Sequence, residues 1–323
     1  MISKVGVGLL PIVLVWSAWL LYLGAAPAIS IVGNHIEIAA TMLFGSFVAG
    51  STSVGGGAVA FPVFTKVLGI PGSTALVFSL AIQSVGMTAA SIMIWLTRTP
   101  IAADIIRSTL VFGTLGIAFG LFVVGPAIPA PDVRYLFSLF SAMVGVAMVL
   151  SRAREDSAAA NVTNIAPLLL AVVSFLGGVL SGLIGTGIDF AIFAVMLFSG
   201  LYGLRVAIAT SVIVMALNAI VGFTLLLAFT DRFSGIVIEY WLAAVPIVVL
   251  GAPLGALACR YLPRSFMFWF LLLLIVMDVV STQLILEIRP AYLAAFALLS
   301  VCLVFYVRRR RMSIPSPQRR EHV

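Results

Sequence analysis

Gly45-Ser46-Phe47-Val48-Ala49-Gly50-Ser51-Thr52-Ser53-Val54-Gly55-Gly56-Gly57-Ala58 sits in the middle of an apolar run that extends from about residue 37 to 69. That run is too long for one straight crossing of a hydrocarbon layer about 30 Å thick, which a helix of about 20 residues spans. Three consecutive glycines also break the helix at its centre. Unwound backbone at membrane depth is tolerated only where protein buries it or a polar cavity lines it. A second segment, 165–200, has the same length anomaly and the same kind of break, Gly185-Thr186-Gly187.

The rest of the chain is consistent with a membrane setting. Of 323 residues 63% are hydrophobic and 9% charged, and the mean hydropathy is +1.24, which excludes an ordinary water-soluble domain. Further apolar segments fall near 5–29, 73–96, 108–128, 133–150, 203–229, 238–258, 265–286 and 290–307. They leave no length for a soluble catalytic domain. Lys4 ahead of the first run and Ala26-Pro27-Ala28 after it have the look of a secretory leader, but the run exceeds the usual core of about 7–15 residues, and a membrane span is the preferred reading.

The chain reads as a duplication. An offset of 132 places Ser79 on Ser211 and Pro131 on Pro263, and an offset of 130 places Gly55 on Gly185 and Gly57 on Gly187. The expected units are 1–36 (first span and outer loop), 37–155 (first repeat), 156–286 (second repeat) and 287–323 (last span and basic tail).

Charge sets the topology. If each glycine-broken segment crossed the membrane, the basic residues outside the tail would divide evenly between the two faces. If each dips in and returns to its own side, fourteen basic residues lie inside and only Lys66, Arg134, Arg232 and Arg289 lie outside. The second arrangement satisfies the positive-inside tendency. It predicts an all-α integral membrane protein with about eight full spans, two glycine-broken re-entrant hairpins arranged as inverted repeats, and both termini cytoplasmic. Secondary transporters use this design, with the substrate near the midplane where broken helices meet.

Half-helix N-termini with uncovered amides form anion sites without a buried cation. The expected substrate-binding set is Ser51, Thr52, Ser53, Gly55, Gly56 and Gly57 from the first hairpin and Gly185, Thr186 and Gly187 from the second, with Ser79, Gln83, Thr210, Ser211 and Asn218 from the spans that follow. The competing reading is that small residues only let helices pack closely. Asp189, in the first turn after Gly187, is either a helix cap or a proton-coupling carboxylate that repels the anion until it is protonated. Lys66 is a candidate for an outer vestibule. Asp278 has no evident basic partner in the sequence. The residues build no catalytic constellation, so no enzyme is expected, and no metal site or cofactor; the two cysteines, Cys259 and Cys302, form no metal-binding spacing. Expected partners are a small anion and the lipid bilayer but no nucleic acid, with a homo-oligomer left open.

The glycine-rich stretch 45–58 with Phe61-Pro62-Val63, and the partner elements Gly177-Gly178 to Gly187 and Ala209-Thr210-Ser211, resemble the signature of the TauE/SafE family of sulfite and organosulfonate exporters. The second repeat departs from it at Thr186, where a middle glycine is usual, and at Ile192, opposite Pro62. The resemblance implies a multi-pass permease of the bacterial inner membrane that moves small sulfur-containing anions, often outward, as a secondary transporter. A passive anion channel or an uptake permease for another small organic anion is the alternative.

Overall fold

A computed structural model describes residues 2–52, 62–155 and 165–285, with residues 60 and 294. Every regular element among them is helical. In chain order they are α1 (Ile2–Leu23), α2 (Ala25–Asn34), α3 (Ile36–Ser51), a short π-helical α4 (Val63–Val67), α5 (Gly72–Leu96), α6 (Ala103–Phe119, continued by a π-turn, Gly120–Val124) and α7 (Ala130–Glu155). The second half supplies α8 (Pro167–Ile184), α9 (Ile188–Ser199), α10 (Leu204–Phe229), α11 (Ile236–Tyr261) and α12 (Arg264–Ile285). Six of the described helices are long and apolar enough to cross a membrane, and α1 with α2 make a seventh if their bent pair counts as one. The expected last span, 290–307, lies outside the described residues. One of the six is α8, the first arm of the second glycine-broken segment.

The first apolar run differs from expectation. It does not continue straight through 5–29: α1 and α2 meet at 99°, because Gly24 adopts φ +78, a left-handed conformation that a glycine takes without strain. Trp16 and Trp19 then tie α1 to α11. Pro246, inside α11, has no N–H to give the Leu242 carbonyl one turn back, and the Trp19 indole donates to that carbonyl at 2.8 Å. The Trp16 indole donates to the Pro246 carbonyl at 3.0 Å. The Trp19 indole therefore fills the backbone gap that proline opens, and Trp16 adds a second tie between α1 and α11.

Helix direction organises the bundle. α3, α5 and α11 run parallel: His35, just before α3, bonds Glu239 in the first turn of α11, and Gly255 further along packs on Phe47 and Ser51, while Trp241 donates to the Ala81 carbonyl and Arg260 to the Thr97 carbonyl. α6, α8 and α10 form a second parallel set pointing the other way. Within it Gly116 packs on Phe175, Gly178 on Gly113, and Gly222 on Ile117, and the Ser174 hydroxyl donates to Thr109 at 3.2 Å. α10 lies against α5 in the opposite direction, with Gly222 against Leu80 and the Ala102 amide bonded to Thr210 at 3.0 Å. Each set thus pairs α3 or α8 with a late helix from the other half, α11 or α6.

These contacts are close because glycine faces backbone. A Cβ on Gly182 would lie 2.7 Å from the Ile117 carbonyl oxygen and 2.7 Å from the Leu121 amide nitrogen. Without a hydrophobic drive between helices in lipid, such close approach and its van der Waals contact hold the bundle together. The packing reading of the glycines is therefore correct for Gly50, Gly116, Gly178, Gly182, Gly251 and Gly255, none of which belongs to the tips.

Candidate functional site

The second break is buried where the two helix sets meet. Gly185 ends α8 at φ +87 and its amide bonds back to the Ser181 carbonyl at 2.8 Å. Gly187, at φ +139, begins α9. Between them Thr186 is fully buried. A left-handed residue closing α8 leaves the Gly185 carbonyl pointing away from the helix, where it needs a partner. α5 supplies one: Gln83 Nε2 donates to it at 2.8 Å and to Ser79 Oγ at 2.6 Å, with Ser79 Oγ itself 3.4 Å from the same carbonyl. Three expected site residues from opposite halves of the chain, Ser79, Gln83 and Gly185, are therefore brought together.

The start of α9 already holds an anionic group. Asp189 Oδ1 accepts from the Gly187 amide at 2.9 Å, and the Thr186 hydroxyl reaches its two oxygens at 3.2 and 3.3 Å. The Phe190 and Asp189 amides face the same carboxyl group. Ser181 Oγ accepts from the Ile188 amide at 3.1 Å. Of the two roles expected for Asp189, the cap is the one seen in these contacts. The amides expected to receive a substrate anion receive a side-chain carboxyl instead. Ser181 was not among the expected site residues; its place one turn before Gly185 was the available signal.

Other expected residues divide between structural and open roles. Ser51 and Thr52 are buried and bond the Val48 carbonyl of their own helix at 3.2 and 2.7 Å. Ser53, Gly55, Gly56 and Gly57 lie outside the described residues. Thr210 accepts from the Ala102 amide, and Ser211 bonds the Ile208 carbonyl of its own helix. Asn218 lines a small cleft with Thr109, Ile188 and Leu217 beside the first residue of α9. Its Nδ2 and Gln83 Oε1 are buried without a hydrogen-bond partner. That leaves one donor and one acceptor unused near the tip, and buried polar groups left unpaired carry a free-energy cost that a bound ligand can remove.

Two expectations are corrected. Lys66 is not at an open vestibule but is buried against α12, and Asp278 has a basic partner, Lys66 itself, at 3.3 Å. Among the described residues no group of three or more His, Cys, Asp or Glu side chains is placed to hold a metal ion.

The connection from α9 to α10 returns to the end of the bundle where α6 begins. Burial, and then the nearby Asp104 carboxylate of α6, push the Tyr202 phenol above its usual range, which places residues 200–203 beside the first turn of α6. α8, parallel to α6, starts at that same end. α9 packs back on α8, with Gly177 against Ile188 and Ala191.

The Gly185 carbonyl gives a direct test of this geometry. Gln83→Leu keeps the side-chain volume close to native and removes the donor, so a buried carbonyl is left with only a long contact to Ser79. The expected cost is about 1–3 kcal/mol in stability, seen as a lowered unfolding temperature in detergent, and transport should fall with it. Wild-type stability in this variant would show that the bond does not hold the tip.

An all-helical bundle of apolar helices, broken at a buried glycine tip that polar side chains of the opposite half hold in place, defines the class: a multi-pass membrane protein of the transporter type. The family model for the sulfite exporter TauE/SafE matches residues 38–281, and the chain belongs to that family of membrane transporters. No curated protein and no solved structure matches it significantly.

Proposed function

We propose that the protein is a secondary transporter, in the export direction, for small sulfur-containing anions such as sulfite or organosulfonates across the bacterial inner membrane. The observation that carries this reading is the Asp189 carboxyl seated on the amides at the start of α9, because it is an anionic group bound by backbone donors inside an apolar bundle. A sulfite or sulfonate oxygen has the same hydrogen-bonding demand. The sulfur itself comes from the family, not from the geometry.

In this reading the two halves are inverted repeats. α3 and the chain up to α5 form a hairpin entering from outside, and α8 with α9 form one entering from inside; the parallel sets α3/α5/α11 and α6/α8/α10 support that assignment. Both termini are cytoplasmic. The tips, with Ser51 to Gly57 on one side and Gly185 to Gly187 on the other, bind the anion with Ser79, Gln83, Thr210, Ser211 and Asn218. Asp189 competes with the substrate for the second tip. A proton on Asp189 removes its charge, weakens its hold on the amides and admits the anion, which couples anion movement to protons.

The sign follows directly. Lower pH on the loading side neutralises Asp189, so the apparent KM for the anion should fall as pH falls. In Asp189→Asn, which retains a capping oxygen, the KM should be nearly independent of pH. A pH dependence like that of wild type in Asp189→Asn would remove Asp189 from coupling. The carrier reading itself is tested by counterflow: proteoliposomes loaded with unlabelled sulfite or a small sulfonate should transiently concentrate the labelled anion from outside. A channel cannot do this, and equilibration without overshoot would support the channel reading.

A further inference from the structure

The duplication makes one interface unequal in its two copies. α9 packs on α7 through apolar contacts, with Phe190 against Phe137 and Phe140. The pair related to it by the duplication is α4 against α12, and there the contact is charged. Lys66 Nζ lies 3.3 Å from Asp278 Oδ1 and 3.3 Å from the Asp278 carbonyl, with shorter contacts of 2.8 Å to Ser281 Oγ and 2.7 Å to Thr282 Oγ1. Both side chains are about 95% buried, at 4% and 5% exposure. The positions related to them by the two offsets, Met196 and Val146, are apolar. The fold itself shows that this kind of contact is built without charge.

A buried ion pair is a costly way to fasten two helices. Its desolvation penalty commonly exceeds its Coulomb gain, and apolar replacements are often as stable or more so. Ionisable groups at membrane depth therefore mark proton or ion pathways more often than they mark glue. This pair is also loosely made. The carboxylate contact is the long one, the hydroxyl contacts are the short ones, and Asp278 Oδ2 has no hydrogen-bond partner. Ser141 on α7, itself buried, presents its hydroxyl to the same carboxyl. A buried carboxylate oxygen with no close donor, beside a hydroxyl that can either give or accept, is a place for a proton.

We propose that Asp278 and Lys66 form a proton-binding switch that holds α4, the segment leading out of the first glycine tip, against α12. The step involves one bond: a proton adds to Asp278 Oδ2, giving the neutral acid, and the same O–H bond breaks when the proton leaves. Lys66 remains an ammonium throughout. Once Asp278 is neutral, the buried ammonium loses the carboxylate charge that faced it at 3.3 Å, which makes its place against α12 less favourable and draws it toward water. α4 moves with Lys66. Re-ionisation of Asp278 draws α4 back. Among the described residues the charged groups facing the switch are Lys66 from α4 and Asp278 from α12. α7 presents Ser141, with Tyr135 and Asp132 earlier on the same helix, and α5 has no titratable side chain along its length.

The proposal rests on the transporter reading for its purpose but not for its test. The full-length protein in lipid nanodiscs is followed by amide hydrogen exchange across residues 62–70, corrected for the intrinsic pH dependence of exchange. In wild type, protection of this segment should drop about tenfold between pH 8 and pH 5 while that of α5 does not change. Asp278→Asn should be poorly protected at both pH values. The doubly apolar Lys66→Met with Asp278→Leu should be well protected at both, which shows that the fold survives without the charges. Protection in wild type that is independent of pH, or protection in Asp278→Asn equal to wild type, would overturn the switch.

Counterflow on the same proteins separates this claim from the transport reading. With the switch correct, Asp278→Asn still exchanges labelled for unlabelled anion but is no longer driven by an imposed pH gradient. Gradient-driven transport by Asp278→Asn at the wild-type level would overturn the coupling role. Failure of wild type to move either anion would reject the substrate class, and the exchange measurement would still decide the switch.

Discussion

Gly185→Ala is expected to abolish transport. Gly185 takes φ +87, where a Cβ costs about 1–2 kcal/mol of strain. The same Cβ would sit 2.5 Å from Ser79 Cβ and 2.6 Å from Ser79 Oγ, so α5 must move or the tip must turn. Either response breaks the bonds by which Gln83 and Ser79 hold the Gly185 carbonyl and displaces the amides that follow. A combined penalty of about 3 kcal/mol on the transport cycle corresponds to a loss of about a hundredfold in rate. Gly203→Ala is the matched control, since its Cβ would meet nothing within 4 Å. Initial rates of anion flux in proteoliposomes check the pair: a Gly185→Ala rate near that of Gly203→Ala would mean that the tip geometry is not used.

The second large effect is on folding. Gly182→Leu places a branched side chain where even a Cβ would be 2.7 Å from the Ile117 carbonyl oxygen and from the Leu121 amide nitrogen. Backbone cannot yield as a flexible side chain does, so α6 and α8 must separate along their length. Overpacking a close contact costs about 1–3 kcal/mol and occasionally more, and in lipid the loss of close helix approach adds to it. The expected result is a poor yield of monodisperse protein and a clearly lowered unfolding temperature. Gly33→Leu, whose Cβ would meet nothing within 4 Å, should behave as wild type. Equal unfolding temperatures for the two variants would contradict the assigned α6–α8 contact.

Much of this was legible in the sequence, for identifiable reasons. Over-long apolar runs with glycine at their centre can end only in broken helices, and the break at Gly185 to Gly187 lies where that argument places it. Equivalent positions in a duplicated chain pointed to Ser79, which does meet the second tip. What the sequence concealed was long-range pairing. Lys66 and Asp278 are 212 residues apart, and hydropathy has no means of joining them. The bend at Gly24 was concealed because glycine is frequent in membrane helices and does not by itself mark a bend. The filling of the tip amides by Asp189 was visible only as one of two options, since a carboxylate in the first turn of a helix serves equally as cap and as titrating group. Thr210 and Ser211 were marked for their polarity alone, and polarity inside a bundle is met as readily by a neighbouring backbone group as by a substrate.

The anion-transporter account is tested most directly by the initial rate of labelled sulfite and labelled small organosulfonate uptake into proteoliposomes, against concentration, with and without an imposed pH gradient. The account predicts saturable uptake of at least one of the two anions, faster with the gradient than without it and lost in Gly185→Ala. Uptake of neither anion by folded wild-type protein, or a rate that rises linearly with concentration and is unchanged in Gly185→Ala, would contradict it.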